Sequence, residues 1–288
     1  MLRAHMYTLQ GLSKARPVNE PSTMSDHFHR HLEGEIAVND SQRREAHQLR
    51  YEIYCLERGY EDSAMFSDGL EKDEFDQHSV HSLVRTRSSG IAAGVVRLIL
   101  PNSSRPDSLL PIEANCGHSF DRAVLDNFEF SRTAIAEVSR FAVSSRLIAN
   151  AVQVRNATIS GAQAGNVSIQ KEASQYLPHI SLGLIAMLFV TSVQHQIEHW
   201  YAAMEPSLSR LLSRSGVEFT PIGPVVDYHG KRQPMIANVS DLLGNIYHKR
   251  YEFFQLIEQL GGVPTDFAGG MHSPQLYKSP QRAVNDRV

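Results

Sequence analysis

The sequence predicts an α/β (α+β) protein: a mixed, twisted sheet flanked by helices. Three observations carry that prediction. Short β-branched runs recur between turn residues, as in GVVRLILP after the Ser88-Ser89-Gly90 turn. Segments with apolar residues at three- and four-residue spacing are interleaved with them. A chain of 288 residues, 42% hydrophobic and 20% charged, can also enclose a sizeable core.

In chain order, residues 1–36 are rich in polar residues, Pro and His, and are expected to be a flexible extension. The folded domain is placed at 37–261. Residues 262–288, punctuated by Gly and Pro, are expected to be a flexible tail. Asp40 or Ser41 is expected to cap a helix reaching about Glu57, with Leu49, Ile53 and Leu56 as its stripe and Gly59 as its stop. An acidic loop at 68–76 leads to a strand at 81–87 and a hairpin partner at 92–100. Residues 136–144 read as a strand, although their spacing also fits a helix, and 145–178 has no clear period. An apolar helix is expected at 181–199, a strand at 200–204, and a short helix from Glu205 to Gly216. Two β-rich runs, 217–222 and 234–239, precede a final amphipathic helix at 241–260. The most apolar window, 180–193, is too long for an ordinary strand and short of the ~20 residues that span a bilayer, so it is expected to be a buried helix.

Composition narrows the function. A net charge of −3 lacks the basic excess that nucleic-acid binding needs. Cys55 and Cys116 form neither a disulfide framework nor a zinc motif, and the N-terminus lacks the apolar stretch of a secretory signal; a cytoplasmic protein is expected. The absence of G-x-S-x-G, P-loop and G-x-G-x-x-G motifs removes support for acyl-enzyme hydrolases, NTPases and dinucleotide enzymes.

What remains is charge set inside apolar sequence. Arg50 and Tyr54 share a helix face at i, i+4. Glu71, Asp73, Glu74 and Asp76 crowd one loop, which is either simply solvated or placed near a cation: an arginine, a substrate amine or a metal. Arg97 lies within a β-branched run, where an unpaired guanidinium is costly to bury: either a carboxylate of that loop is its partner, or the run is an edge strand with Arg97 facing water. Glu137 and Arg140 sit three apart in AEVSRFAVSSR, and in a strand they reach one site only across a bulge. His195, Glu198 and His199 fit H-x-x-E-H, which keeps a metal-dependent hydrolase as an alternative, although no third ligand is evident and solvated histidines explain the pair as well.

Taken in order, these segments resemble one family. Arg–x3–aromatic, E-x-D-x-x-D, a hairpin ending in Arg-Leu, and E-x-S-R follow the arrangement of acyl-homoserine-lactone synthases and N-acyl amino acid synthases, acyltransferases of the GNAT fold. LRYEIYCLERGYE, DGLEKDEFDQHSVH, AEVSRFAVS and MEPSLSRLLSRSGVEFTPIGPVVDYHGKRQP most resemble acyltransferases associated with exosortase/PEP-CTERM systems, over roughly residues 40–245. The resemblance implies transfer of a fatty acyl group from an acyl-carrier-protein or acyl-CoA thioester to the amine of an amino-acid-like acceptor, with no bound cofactor or metal. The lack of a tight Arg-Gly-x-Gly loop for pyrophosphate favours the carrier protein. Carried over, Arg50, Tyr54, Asp73, Asp76, Arg97, Glu137 and Arg140 fall on active-site positions, the first of these forming an ion-pair network with Asp73, Asp76 and Arg97. Glu137 is expected to be the general base, and Arg140 to orient it or bind the acceptor carboxylate. Ser139, Phe141, Ala142 and Val143 are expected to line the thioester site through main-chain N–H groups, and helix 181–193 to line the acyl tunnel. A basic patch of Arg210, Arg214, Lys231 and Arg232 is expected to dock the acidic carrier. Two further alternatives stand beside this reading: a lactone synthase taking S-adenosylmethionine, and a GNAT-fold binding module without catalysis.

Overall fold

The computed structural model describes residues 24–267 apart from 103, 106, 161–165 and 229. Helix α1 (Met24–His31) and strand β1 (Leu32–Ile36) open the fold. Residues 24–36 are therefore not a flexible extension: Phe28 and Leu32 are fully buried, and β1 pairs antiparallel with β2 (Ser79–Thr86). Two large apolar residues four apart anchor an otherwise polar segment, because neighbouring elements supply the rest of the burial. At the other end, Val263 and Phe267 still pack on the core. Residues 1–23 and 268–288 lie outside the described residues.

Helix α2 (Asp40–Tyr51) is capped by Asn39 rather than by Asp40 or Ser41. The Gln42 N–H donates to Asn39 Oδ1 at 3.0 Å, and the Asn39 N–H donates to Gln42 Oε1 at 3.1 Å. The helix continues as a π-helical stretch over Glu52–Glu57, where the Arg58 N–H reaches the Ile53 carbonyl at 2.9 Å. Gly59, at φ +63°, ends it.

Beyond the β2–β3 hairpin (β3, Ala92–Ile99) come two short helices, α3 (Pro111–Cys116) and α4 (Arg122–Leu125), then β4 (Ile135–Val143) and α5 (Ser145–Ser160). The long helix α6 (Asn166–His195) passes through Pro178 and leads to β5 (His199–Met204) and α7 (Pro206–Ser213). Strands β6 (Thr220–Pro221), β7 (Val226–Asp227) and β8 (Lys231–Asn238) precede α8 (Val239–Lys249) and α9 (Tyr251–Gln259). The run at 217–222 thus pairs only at its end. The expected final helix is two, broken at Arg250 (φ −146°, ψ 62°), which turns Phe253, Phe254 and Ile257 into the core.

The sheet order is β1-β2-β3-β4-β5-β8-β6, with β7 on β8, and among the described pairs only β4 and β5 run parallel. Helix α6 crosses one face over Val84, Val96, Leu98, Ala136 and Trp200. Its approach needs glycine: a Cβ on Gly94 would stand 2.5 Å from Ile180 Cγ2. Residues Ala173–His195 are long and apolar enough to cross a membrane, yet 67% of their most apolar window is buried inside the fold, which is the role of a core helix. The opposite face carries two smaller clusters, Leu83 and Val95 under α2, and Ile99, Ile135, Tyr201 and Ile236 near α3. His81, Arg97 and Glu137 are buried on this same strand face, between the two clusters.

Candidate active site

Strand β4 settles how residues three apart share one face. Against β3, Ser139 stands opposite Arg97 and Ala142 opposite Val95, so Arg140 and Phe141 together oppose Val96. Arg140 takes up the extra residue at φ +51°, a left-handed conformation that costs a non-glycine residue free energy. Before the bulge the odd-numbered residues face α2; after it, the even-numbered ones do. Glu137, Ser139 and Arg140 therefore all reach the face where Arg97 lies.

An ion-pair network fills the space under α2. Arg50, fully buried, donates to Glu71 through Nε and to Asp76 through Nη1 at 2.6 Å. Arg97 Nη1 donates to Asp73 at 2.6 Å and Asp76 at 2.7 Å, and its Nε to Ser139 Oγ at 2.9 Å. Arg140 donates to Glu71 at 2.9 Å and Asp73 at 3.3 Å. Three guanidiniums thus meet three carboxylates, and the expected four-residue network gains Glu71 and Arg140. Sequence reading left Glu71 in an acidic loop, where nothing in the spacing marks it as the carboxylate that turns inward; in the structure it is 1% exposed. Burial opposes ionisation of Glu71, but Arg50 and Arg140 outweigh it and hold its carboxyl down at about 2. Asp76 is likewise penalised by burial yet held well below the usual carboxylate range by Arg50 and Arg97. Tyr54, in the π-helical stretch, lies under Arg140 with the guanidinium carbon 5.4 Å from its ring centroid.

Glu137 has a different environment. It is 3% exposed, and the contact recorded for its carboxylate is the Ile112 N–H in the first turn of α3, at 2.8 Å. Burial, only partly offset by that N–H and by the field of Arg97, pushes its carboxyl up to about 7. Arg140 does not orient it: among the described residues its guanidinium donates to Glu71 and Asp73 instead. The orienting group is the Ile112 backbone, which no side-chain motif announces.

Two cavities meet at β4. An apolar cleft of about 390 Å³ opens where β4 and β5 part, since their pairing ends at Val138 and Ala202. Phe141 and Val143 of β4, Leu188 of α6, and Leu208, Leu212 and Phe219 line it. Leu177 and Ile185 of α6 also reach it, so the long helix does form part of its wall. A polar cavity of about 340 Å³ adjoins it, bounded by Glu137, Arg140, Asp73, Tyr60, Tyr228 and Arg232. Ser139 and Arg140 border both. Burial pushes the Tyr228 phenol up to about 12. Tyr228 and Arg232 were not assigned to this cavity from sequence, because the segment that carries them, from the end of β7 into β8, follows β5 by more than twenty residues.

Two histidine groupings do not build a metal centre. Helix α6 ends at His195, Gln196 is left-handed, and His199 lies buried in β5 against Asn238 at 3.1 Å, so the H-x-x-E-H residues do not share a helical turn. His47, Asp76 and His81 do bring possible ligand atoms within 4.8 Å of one another. Asp76 is already held by Arg50 and Arg97, and a dication beside two guanidiniums meets like charge. Of the expected basic patch, Arg210 and Arg214 are exposed and Lys231 pairs with Asp227 at 3.5 Å, whereas the Arg232 side chain is only 16% exposed.

Residues 49–154 match the family model described as "Acetyltransferase (GNAT) domain". Among solved structures, TofI in a ternary complex with an inhibitor and MTA aligns with a TM-score of 0.51 at 16% identity, covering 74% of this chain and 96% of that one. FeeM, an N-acyl amino acid synthase from uncultured soil microbes, aligns with a TM-score of 0.48 at 16% identity, covering 76% and 97%. BjaI, a CoA-dependent acyl-homoserine lactone synthase with SAM and isopentyl-CoA, aligns with a TM-score of 0.47 at 17% identity, covering 82% and 90%. A comparison with curated protein sequences returned no match. With the family match spanning β2, β3 and the bulged β4 that carry the site, the protein is an acyltransferase with a GNAT domain over residues 49–154.

Proposed function

We propose that the protein transfers a fatty acyl group from a phosphopantetheine thioester to the amine of an amino-acid-like acceptor, with Glu137 as general base. One observation carries this reading. A buried carboxyl with its pKa near 7 stands beside a polar cavity that shares a wall with an apolar cleft. The cleft has the lining for an acyl chain, and the polar cavity has the charge for an amine-bearing acceptor.

Among the described residues β4 has no strand partner on its β5 side from Ser139 onward, so main-chain N–H groups there are available to an extended pantetheine arm and to the thioester oxygen. The acceptor nitrogen attacks the thioester carbonyl carbon, Glu137 takes the proton directly or through water, and collapse of the tetrahedral adduct expels the thiolate, which is then protonated. A thioester is already activated, so no enzyme nucleophile is needed. The ion-pair network keeps α2, the acidic loop and β4 in one arrangement, which supports positioning rather than chemistry. An acyl-carrier-protein donor, docking through exposed Arg210, Arg214 and Lys231 in the cytoplasm, is part of the proposal. A role in envelope or exported-protein biology rests on the sequence resemblance.

The test is mass spectrometry of lipid extracts from cells expressing the wild type or Glu137→Gln. A new N-acyl amino acid only in the wild type is the expected result. Equal product from both strains overturns the role of Glu137, and an acyl lactone in place of the amide overturns the acceptor class.

A further inference from the structure

We infer that Arg232 anchors a carboxylate on the acceptor and so fixes which way the acceptor lies in the polar cavity. The inference rests on the amine-acylation reading above and names the residue that gives the site its selectivity. It follows from asking where the charge of each cation lining that cavity goes.

Arg97 is held by Asp73 and Asp76, and Arg140 by Glu71 and Asp73, in each case within the buried network. Lys72 pairs with Asp68 at 2.9 Å on the exposed rim. Arg232 is the exception. Its side chain is 16% exposed, yet its carboxylate partner is Glu205, 46% exposed, met through Nη1 at 2.7 Å. Nη1 also reaches the Lys231 carbonyl at 3.3 Å, and the guanidinium carbon lies 5.9 Å from the Tyr60 ring centroid. Among the described residues no other hydrogen bond of this guanidinium is present, which leaves Nε and Nη2 for a ligand. Among the same residues it is the cavity's only cation that is largely buried without a buried carboxylate partner.

Position supports the assignment. Gln233 pairs with Met204 at the end of β5, so Arg232 lies just beyond β5, across the gap that opens from β4. Glu137 borders the same cavity from β4. An amine delivered to Glu137 and a carboxylate delivered to Arg232 place the two ends of one amino acid on two different strands. The other cations of the wall, Lys72, Arg97 and Arg140, are already engaged by Asp68, Glu71, Asp73 and Asp76, so a carboxylate-bearing acceptor finds its counter-ion in Arg232. Phe66, Phe75, Tyr60 and Tyr228 give the remaining wall an aromatic character.

Steady-state kinetics with a dodecanoyl-pantetheine donor and three acceptors, phenylalanine, phenylalaninamide and phenethylamine, tests this. The expected result for Arg232→Gln is a KM for phenylalanine raised about 10- to 100-fold, with kcat and the KM values for the two analogues that lack a carboxylate little changed. Arg232→Lys should recover part of the loss, since an ammonium keeps the charge without the fork. A wild type that accepts phenylalanine and its amide with equal KM overturns the assignment, and it does so through the wild type alone should the variant fail to fold. A variant whose loss falls on the KM of the donor also overturns it and gives Arg232 to the donor arm. A wild type that acylates none of the three amines overturns the amine-acylation reading itself, and this inference with it.

Discussion

Two buried carboxylates, Glu71 and Glu137, are 1% and 3% exposed, yet their acidities are driven in opposite directions, to about 2 and about 7. Glu71 has two guanidiniums as partners; Glu137 has one backbone N–H and, among the described residues, no guanidinium hydrogen-bonded to it. Burial is nearly equal, so the partner decides the charge state. One region of the sheet face is a permanent ionic scaffold, and the other holds a carboxyl poised to exchange a proton near neutral pH. Structure and reactivity are divided between neighbouring groups.

The sharpest way to break this comparison is Glu137→Gln, which removes the proposed base and leaves the network intact. Its kcat/KM is expected to fall about 10²- to 10⁴-fold with an unchanged circular dichroism spectrum. In the wild type kcat/KM should rise with pH through about 7, and that ionisation should vanish in the variant. Next in size, Arg50→Ala removes the buried cation that Glu71 and Asp76 share, leaving them Arg140 and Arg97 alone, and should destabilise the fold by about 3–5 kcal/mol in urea unfolding. The contribution of Glu71 is fully present above pH ~4.5 and is lost as pH falls towards 2, so the wild type should lose stability in that acid window.

Glu137 should show the reverse sign. Its carboxyl rises from 4.5 to about 7 on folding, so its contribution is complete below 4.5 and is lost as pH rises to about 7. Glu137→Gln should therefore be more stable than the wild type by about 3 kcal/mol at pH 8, with the gap closing at pH 4. A smaller effect is expected from Leu212→Phe in the apolar cleft: discrimination against the longest acyl donors by about 10-fold, with short donors unaffected. The smallest change tests burial itself. Lys249 and Glu218 form an ion pair at 2.6 Å with side chains 51% and 43% exposed, and Lys249→Ala should alter stability by under about 0.5 kcal/mol.

Much of this site was legible in the sequence because isolated charge inside apolar runs is costly. That argument picked out Arg97, Glu137 and Arg140, and it paired Arg97 with the acidic loop. The helix start was missed by one residue, since Asn39, Asp40 and Ser41 are all competent caps and only the backbone chooses among them. Glu71 was hidden among four carboxylates, and spacing does not say which of them turns inward. Ile112 acts through its backbone and leaves no side-chain signal. Arg232 was read with the exposed cations around it, because only the end of β5 and the placement of Tyr60 draw it inward. The fold of residues 24–36 escaped for a related reason: Phe28 and Leu32 become core only once α6 and α9 are in place.

The bulge at Arg140 makes β4 a tool with two working edges. Side chains of Glu137, Ser139 and Arg140 border the polar cavity, whereas on the proposed reading the thioester arm would be offered the main chain beyond them, which has no strand partner on its β5 side among the described residues. Backbone has no identity to lose by substitution. If the proposed function holds, substitutions along this strand would change acceptor preference residue by residue while the main-chain grip on the donor persists.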